Sequence, residues 1–359
     1  MKLIRNFIDN LYRICNQKTF LARFKPVVDA VDSFFFGTDK TTTSAPHILD
    51  NIDIKRYMSA VIIALLPAAI AAIYFYGLRV LLIIAVSYIF GGLTEVIFAV
   101  LRKKEIEEGF LVTGLIFPLI LPPTVPLWVV AVGIVFGVFF GKEVFGGTGR
   151  NIFNPALVGR LFITVCFPVI MTTSWQKPYT DGFGGFVHYT TDAITSATPL
   201  ISWKTEKVVT SFLELLLGKT AGSIGETFRL GIILGGLFLI FTKVANYRIP
   251  LSYILSVFIF STIGHILVPQ KVAPPLFQLF SGGLLFGAFF MATDPVTTPF
   301  TKEGKWIAGV LLGLLTVLIR SFSGYVEGVM FSIILMNAFT PLIDTIVLDV
   351  KYKTPVTKR

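Results

Sequence analysis

Charge is scarce in this chain of 359 residues: Asp, Glu, Lys and Arg together supply 14% of it. Water-soluble domains carry about 25%, so a soluble globular enzyme is excluded. Cysteine is nearly absent. Two residues, Cys15 and Cys166, cannot build a disulfide scaffold or a four-cysteine metal site. The three histidines, His47, His188 and His265, have no metal-binding spacing. No NAD fingerprint or Fe–S ligand pattern occurs, and no metal site is expected. The first 25 residues lack an apolar run flanked by a small-residue cleavage site, so no cleavable signal peptide is expected. Hydrophobic types, by contrast, make up 54%, with 35 Phe, and the mean hydropathy is +0.78. Disorder is excluded as well. The composition defines an all-α polytopic membrane protein.

A helical span needs about 20 mostly apolar residues. Ten segments meet or approach this: 57–76, 78–101, 109–121, 124–140, 153–172, 229–245, 249–268, 275–292, 305–320 and 327–347. The third is short for a full crossing. With the N-terminus in the cytoplasm and the spans alternating, inner segments hold 22 Lys and Arg and outer segments eight. The positive-inside rule then places both termini in the cytoplasm and 173–228 outside. That bias also accounts for much of the net charge of +10 without nucleic acid as a partner. The expected organisation is an N-terminal arm (1–56), a first five-helix unit (57–172), an outer loop (173–228), a second five-helix unit (229–347) and a tail (348–359). Leu3, Ile4, Phe7, Ile8, Leu11 and Ile14 recur at helical spacing in the arm. They suit a helix lying on the inner interface, or one docking onto a partner protein.

The two units look alike. Asp53-Ile-Lys-Arg-Tyr-Met-Ser opens one and Asn246-Tyr-Arg-Ile-Pro-Leu-Ser the other. Each third helix ends in a proline-rich break, Leu121-Pro-Pro-Thr-Val-Pro126 or Ala292-Thr-Asp-Pro-Val-Thr-Thr-Pro299. Five helices per unit invert the second copy relative to the first. Paired broken helices in inverted repeats point to a site at their interface; proline simply ending helices at a membrane border is the plainer account.

Three motifs could carry chemistry. Gly146-Gly-Thr-Gly-Arg150-Asn151-Ile-Phe-Asn154-Pro155 joins spans four and five. Its glycines let backbone approach a ligand, and Asn151 and Asn154 offer donors and acceptors for the edge of a heteroaromatic ring. It also reads as a loop with an Asn cap before Pro155. Asp192-Ala-Ile-Thr195-Ser196-Ala-Thr198 lies in the outer loop, either a turn or cap or a hydroxyl acceptor for a covalently held cofactor. Gly222-Ser223-Ile-Gly225-Glu226-Thr227 precedes span six. Free N–H groups there suit a phosphate; Ser223 with Glu226 three residues on also reads as a capping box. Ionisable residues within or near the spans are Glu95, Arg160, His265, Asp294, Glu327 and Asp344. Such groups are costly in a membrane and usually functional, and carboxylates are hard ligands suited to Na⁺ or protons. A structural pair or interfacial charge suits Arg320 and Asp344 better than Glu95.

These motifs coincide in one resemblance. Glu108-Gly-Phe-Leu-Val-Thr-Gly, then Leu121 to Trp128, then Lys142-Glu-Val-Phe-Gly-Gly-Thr-Gly-Arg-Asn-Ile-Phe-Asn-Pro-Ala-Leu are similar to the family of the B subunit of the bacterial Na⁺-translocating NADH:quinone oxidoreductase. The D subunit of the Rnf ferredoxin:NAD⁺ oxidoreductase is its paralogue. Lys25-Pro-Val-Val-Asp-Ala-Val-Asp-Ser-Phe-Phe-Phe looks like the longer arm of the quinone-reducing complex, and Met291-Ala-Thr-Asp-Pro-Val and Glu327-Gly-Val-Met are common to both. The resemblance spans about Phe24 to Asp349. It implies an FMN esterified through its phosphate to Thr198, with Asp192 and Thr195 in register and Ser196 in place of the usual Gly. Gly222, Ser223, Gly225, Glu226 and Thr227 would hold that FMN. Riboflavin would sit by Arg150, Asn151 and Asn154. Gly91 and Gly92 would serve quinone, and Glu95, Asp294 and Asp344 the ion path. Implied partners are the other members of a six-subunit inner-membrane complex, including a periplasmic FMN subunit and an NADH-oxidising flavin/Fe–S subunit, together with a flavin transferase. A flavin-free secondary transporter is the rival of another class.

Overall fold

The computed structural model describes residues 2–17, 25, 28, 32, 54–103, 109–180, 186 and 196–352. Every regular element in them is helical. The arm contributes α1 (Lys2–Gln17), whose Ile8 is buried against Val28 and whose Arg5 pairs with Asp32 at 2.9 Å. The first unit follows as α2 (Ile54–Tyr76), α3 (Arg79–Arg102), α4 (Gly109–Leu119), α5 (Leu127–Gly141), α6 (Pro155–Cys166) and α7 (Pro168–Thr173). Two short helices, α8 (Pro199–Glu206) and α9 (Phe212–Leu217), lie in the connecting stretch. The second unit comprises α10 (Arg229–Phe241), α11 (Arg248–Leu267), α12 (Pro275–Phe280), α13 (Leu284–Phe286), α14 (Lys302–Phe322) and α15 (Val329–Tyr352). α13 runs directly into a π-helical turn, Gly287–Met291.

Among the described residues, six helices are long and apolar enough to cross a bilayer: 56–76, 79–102, 127–145, 248–267, 302–322 and 329–352. Three apolar helices, α4, α6 and α10, are shorter. Four of the expected spans therefore depart from continuous helices. The third stops at Leu119, just before Pro122 and Pro123, because proline supplies no N–H and restricts the residue before it. The fifth splits at Phe167, immediately ahead of Pro168. The sixth begins at Arg229 and ends at Phe241. The eighth is interrupted at Ser281-Gly282-Gly283, where Gly282 takes φ +61°.

Small residues set the closest crossings. A methyl group at Gly137 would lie 2.5 Å from the Pro155 carbonyl oxygen, and one at Gly159 2.5 Å from that of Gly133, which seats α5 on α6. Gly309 and Gly313 of α14 face Ser252 and Ser256 of α11 in the same way. Such contacts hold helices together where lipid offers no hydrophobic drive. Large apolar side chains such as Phe241 (80% exposed) and Ile266 (74%) point outwards. In water this would be an aggregation liability; on a bilayer-embedded surface it is required.

Candidate functional site

Thr198 is the N-cap of α8. Its backbone is extended, its hydroxyl accepts from the Ile201 N–H at 3.4 Å, and Pro199 follows at the first helical position. This is the cap reading of the motif, and it leaves the threonine half-buried beside exposed Ala197. The Ser196 N–H donates to the Trp175 carbonyl at 3.1 Å, tying the motif to the end of α7. α8 is docked by Leu200 and Trp203, buried with Leu215, Ala273 and Phe277. Lys204 completes the docking by donating to the Ser323 carbonyl at 3.0 Å and to that of Tyr325. Burial, with Lys207 nearby, holds its amine below the usual lysine range. Asp192 and Thr195 lie outside the described residues.

The Gly222–Thr227 turn is not an open cradle. The Ile224 N–H donates to the Leu121 carbonyl at 3.0 Å, that of Gly225 to Leu119 at 2.6 Å and that of Glu226 to Ser223 at 3.2 Å. Thr227 shares a 2.8 Å hydrogen bond with the Tyr76 hydroxyl. Three of the N–H groups expected to be free, those of Ile224, Gly225 and Glu226, are therefore engaged, because the turn closes over the carbonyls of Leu119 and Leu121 at the break after α4. Nor is it a capping box, since α10 starts only at Arg229. Glu226 instead reaches Arg160 of α6 at 3.3 Å, both side chains being buried.

The third location is a cavity lined by residues from both halves of the chain. Tyr57, Thr113, Lys142, Thr148, Asn151, Asn154, Thr293 and Asp294 provide its polar lining; Val112, Ile116, Leu239 and Phe290 are among the apolar walls. An apolar pocket with a few convergent polar groups is the usual form of a cofactor site. The Asn154 side-chain oxygen caps α6, accepting from Ala156 at 3.0 Å and Leu157 at 3.4 Å, while the Asn151 amide donates to the Phe153 carbonyl at 3.1 Å. The Asp294 carboxylate accepts from the Val296 N–H at 3.1 Å. Proline at 295 and this local bond fix the break after the π-helical turn.

The structure thus brings together Asn151, Asn154 and Asp294, but not all the residues predicted with them. Arg150 is exposed and stands outside the lining. Glu95 is buried one turn along α3 from Gly91 and Gly92, and meets the cavity only through Lys142, whose amine lies 2.6 Å away. Asp344 faces a different segment, accepting from the N–H groups of Phe300 at 2.9 Å and Thr301 at 3.1 Å. Gly91 is enclosed, since a methyl there would overlap Phe110 and Ile134. Sequence reasoning missed Lys142 and Tyr57 as cavity residues. The only signal was the placement of Lys142 beside the glycine loop.

Six long apolar helices, an apolar outer surface and a cavity with convergent polar groups define a multi-pass helical membrane protein. The sequence pattern of the NQR2, RnfD, RnfE family matches residues 41–353, and the chain belongs to that family. It is 35% identical to the B subunit of the Na(+)-translocating NADH-quinone reductase of Ectopseudomonas mendocina, with 98% of each chain covered. It is 34% identical to the protein of the same name from Yersinia pestis, again over 98% of each. The Klebsiella pneumoniae protein of that name is 36% identical over 93% of this chain and 94% of its own.

Proposed function

We propose that this chain is the B subunit of a Na⁺-translocating NADH:quinone reductase, set in the bacterial inner membrane with both termini cytoplasmic. The observation that carries this reading is similarity to such proteins over nearly the whole of both chains, the N-terminal arm included. That inclusion favours it over the Rnf paralogue, and Na⁺-stimulated quinone reduction by the purified complex tests the choice.

Ten membrane segments in two inverted halves are the architecture we assign. Helix pairing supports it. In the first unit α3 packs on α4 and α5, and α5 on α6; in the second α11 packs on α12 and α14, and α14 on α15. The same order of partners recurs, while α2 and α10 pack on each other across the two units.

Thr198 would hold FMN through a phosphoester. Its fit rests on the cap position, where a negative group meets the positive end of α8, and on the partial exposure of the motif. Asn151 and Asn154 would hydrogen-bond riboflavin in the cavity, and Gly91 and Gly92 would serve quinone. Bound flavins supply one-electron redox chemistry that no side chain here offers. The chain itself fixes the acceptor threonine with Leu200, Trp203 and Lys204, excludes water from the centre, and places Asp294 in the cavity with Glu95 behind Lys142. We assign Glu95, Asp294 and Asp344 to the Na⁺ path, with an outer FMN subunit and an NADH-oxidising flavin/Fe–S subunit as partners. Thr198→Ala protein should show no flavin fluorescence on a denaturing gel. A fluorescent band from this chain in that variant would overturn the attachment site.

A further inference from the structure

Four buried charged side chains, Arg160, Glu226, Arg229 and Arg320, meet a fifth, half-buried Glu327, in one cluster. Arg160 of α6 pairs with Glu226 at 3.3 Å, and Arg320 at the end of α14 pairs with Glu327 at 2.8 Å. Arg229, first residue of α10, donates to the carbonyls of Leu215 and Thr227 and has no carboxylate of its own. The two glutamates converge on the break before α13. The Gly283 N–H donates to Glu327 at 3.0 Å, and a methyl at Gly283 would collide with Glu226, one at Gly282 with Glu327. Tyr76 and Tyr253 flank the cluster, hydrogen-bonded to Thr227 and Thr316.

Three guanidinium groups thus face two carboxylates. Among the described residues no further charged side chain pairs with any of the five. Counted as formal charges, one positive charge is left over, and Arg229, the side chain without a carboxylate, is only 2% exposed, where its field is weakly screened. The cluster lies against the elements that seat α8: Arg229 donates to the carbonyl of Leu215, which shares a buried cluster with Leu200, two residues from Thr198, and the Arg320–Glu327 pair meets Leu200 at Gly282.

We propose that this surplus charge sets the reduction potential of the flavin on Thr198, which makes Arg229, Arg320, Glu226 and Glu327 positioning residues of the electrostatic kind. The inference rests on the Thr198 assignment above. A flavin held on Thr198 would take one electron from the reduced outer partner, and the cluster would stabilise the negative charge so gained until the electron left for the cavity flavin and then quinone. A cluster too distant or too screened to act on the flavin would hold the helices together equally well and would carry no signed effect on potential.

The test is a spectroelectrochemical titration of the purified complex, following the flavin component that disappears in Thr198→Val. Glu226→Gln keeps shape and removes a negative charge, so the potential should rise. Arg229→Gln should lower it, and Arg229→Lys should leave it in place. Each shift should be on the order of tenfold in the reduction equilibrium, ~59 mV for a one-electron couple. In-gel fluorescence shows that each variant folds and carries its flavin. Unmoved potentials, or shifts of one sign for both charge changes, would overturn the proposal while the attachment stands. A wild-type chain with no covalent flavin on Thr198 would overturn the attachment itself. Should Arg229→Gln fail to assemble, Glu226→Gln and Glu327→Gln carry the test, and both must raise the potential.

Discussion

Glu95 and Lys142 sit 2.6 Å apart with both side chains buried. Neither charge is cheap to hold there alone, because desolvation of a lone ion outweighs what packing returns. Lys142→Met should therefore destabilise the detergent-purified protein by about 3–5 kcal/mol. The double variant Glu95→Gln/Lys142→Met should recover most of that loss in thermal unfolding. Additive losses would show that the two do not act as a pair. Asn154 separates two roles in one side chain. Its oxygen caps α6 and its amide is left for the cavity. Asn154→Asp keeps the acceptor that a cap needs, whereas Asn154→Ala should cost about 1 kcal/mol of stability. Both variants should lose non-covalent flavin, measured as riboflavin released on denaturation. Full riboflavin in Asn154→Asp would remove that residue from the cofactor site.

Helices that stop early are the element-scale theme. α4 ends at Leu119, whose carbonyl accepts from Gly225 of the Gly222–Thr227 turn, while the carbonyls of Ile116, Phe117 and Pro118 accept from Ile120 and Leu121. The seat is tight: a methyl at Gly225 would lie 2.7 Å from the Leu119 Cβ. Gly225→Val should cost about 1–3 kcal/mol by overpacking and lower the yield of folded protein. An unchanged melting temperature would contradict the packing. Much of this layout was legible beforehand. Hydropathy located the long helices, proline marked the breaks at 122–126 and 295–299, and the Asn154-Pro155 pair announced a cap. Other features were not. Whether the N–H groups of a Gly/Ser turn are free depends on which carbonyls pack beneath them, and no local pattern states that. The same holds for Glu226, whose partner Arg160 lies 66 positions away, and for Asp344, which binds backbone rather than the cavity. Arg150 reads as a ligand beside Asn151, but the tight glycine turn directs it outwards.

Over the whole molecule, charge is distributed so that few Lys and Arg need to cross the bilayer, and those left in it are engaged by carboxylates or carbonyls. Ala197 and Arg150 are both exposed on the protein surface, and the proposed topology has the first outside and the second inside. A single cysteine at 197, in a chain with Cys15 and Cys166 replaced, should react with a membrane-impermeant maleimide in cells whose inner membrane is intact. A cysteine at 150 should react only after that membrane is opened. The reverse pattern would invert the topology. Mass spectrometry of the proteolytic peptide holding Thr198 decides whether this chain carries its outer flavin as an ester of one threonine. The peptide should be heavier by one phosphoester-linked FMN, with fragmentation placing the addition on Thr198; an unmodified peptide from the assembled, active complex would rule the attachment out.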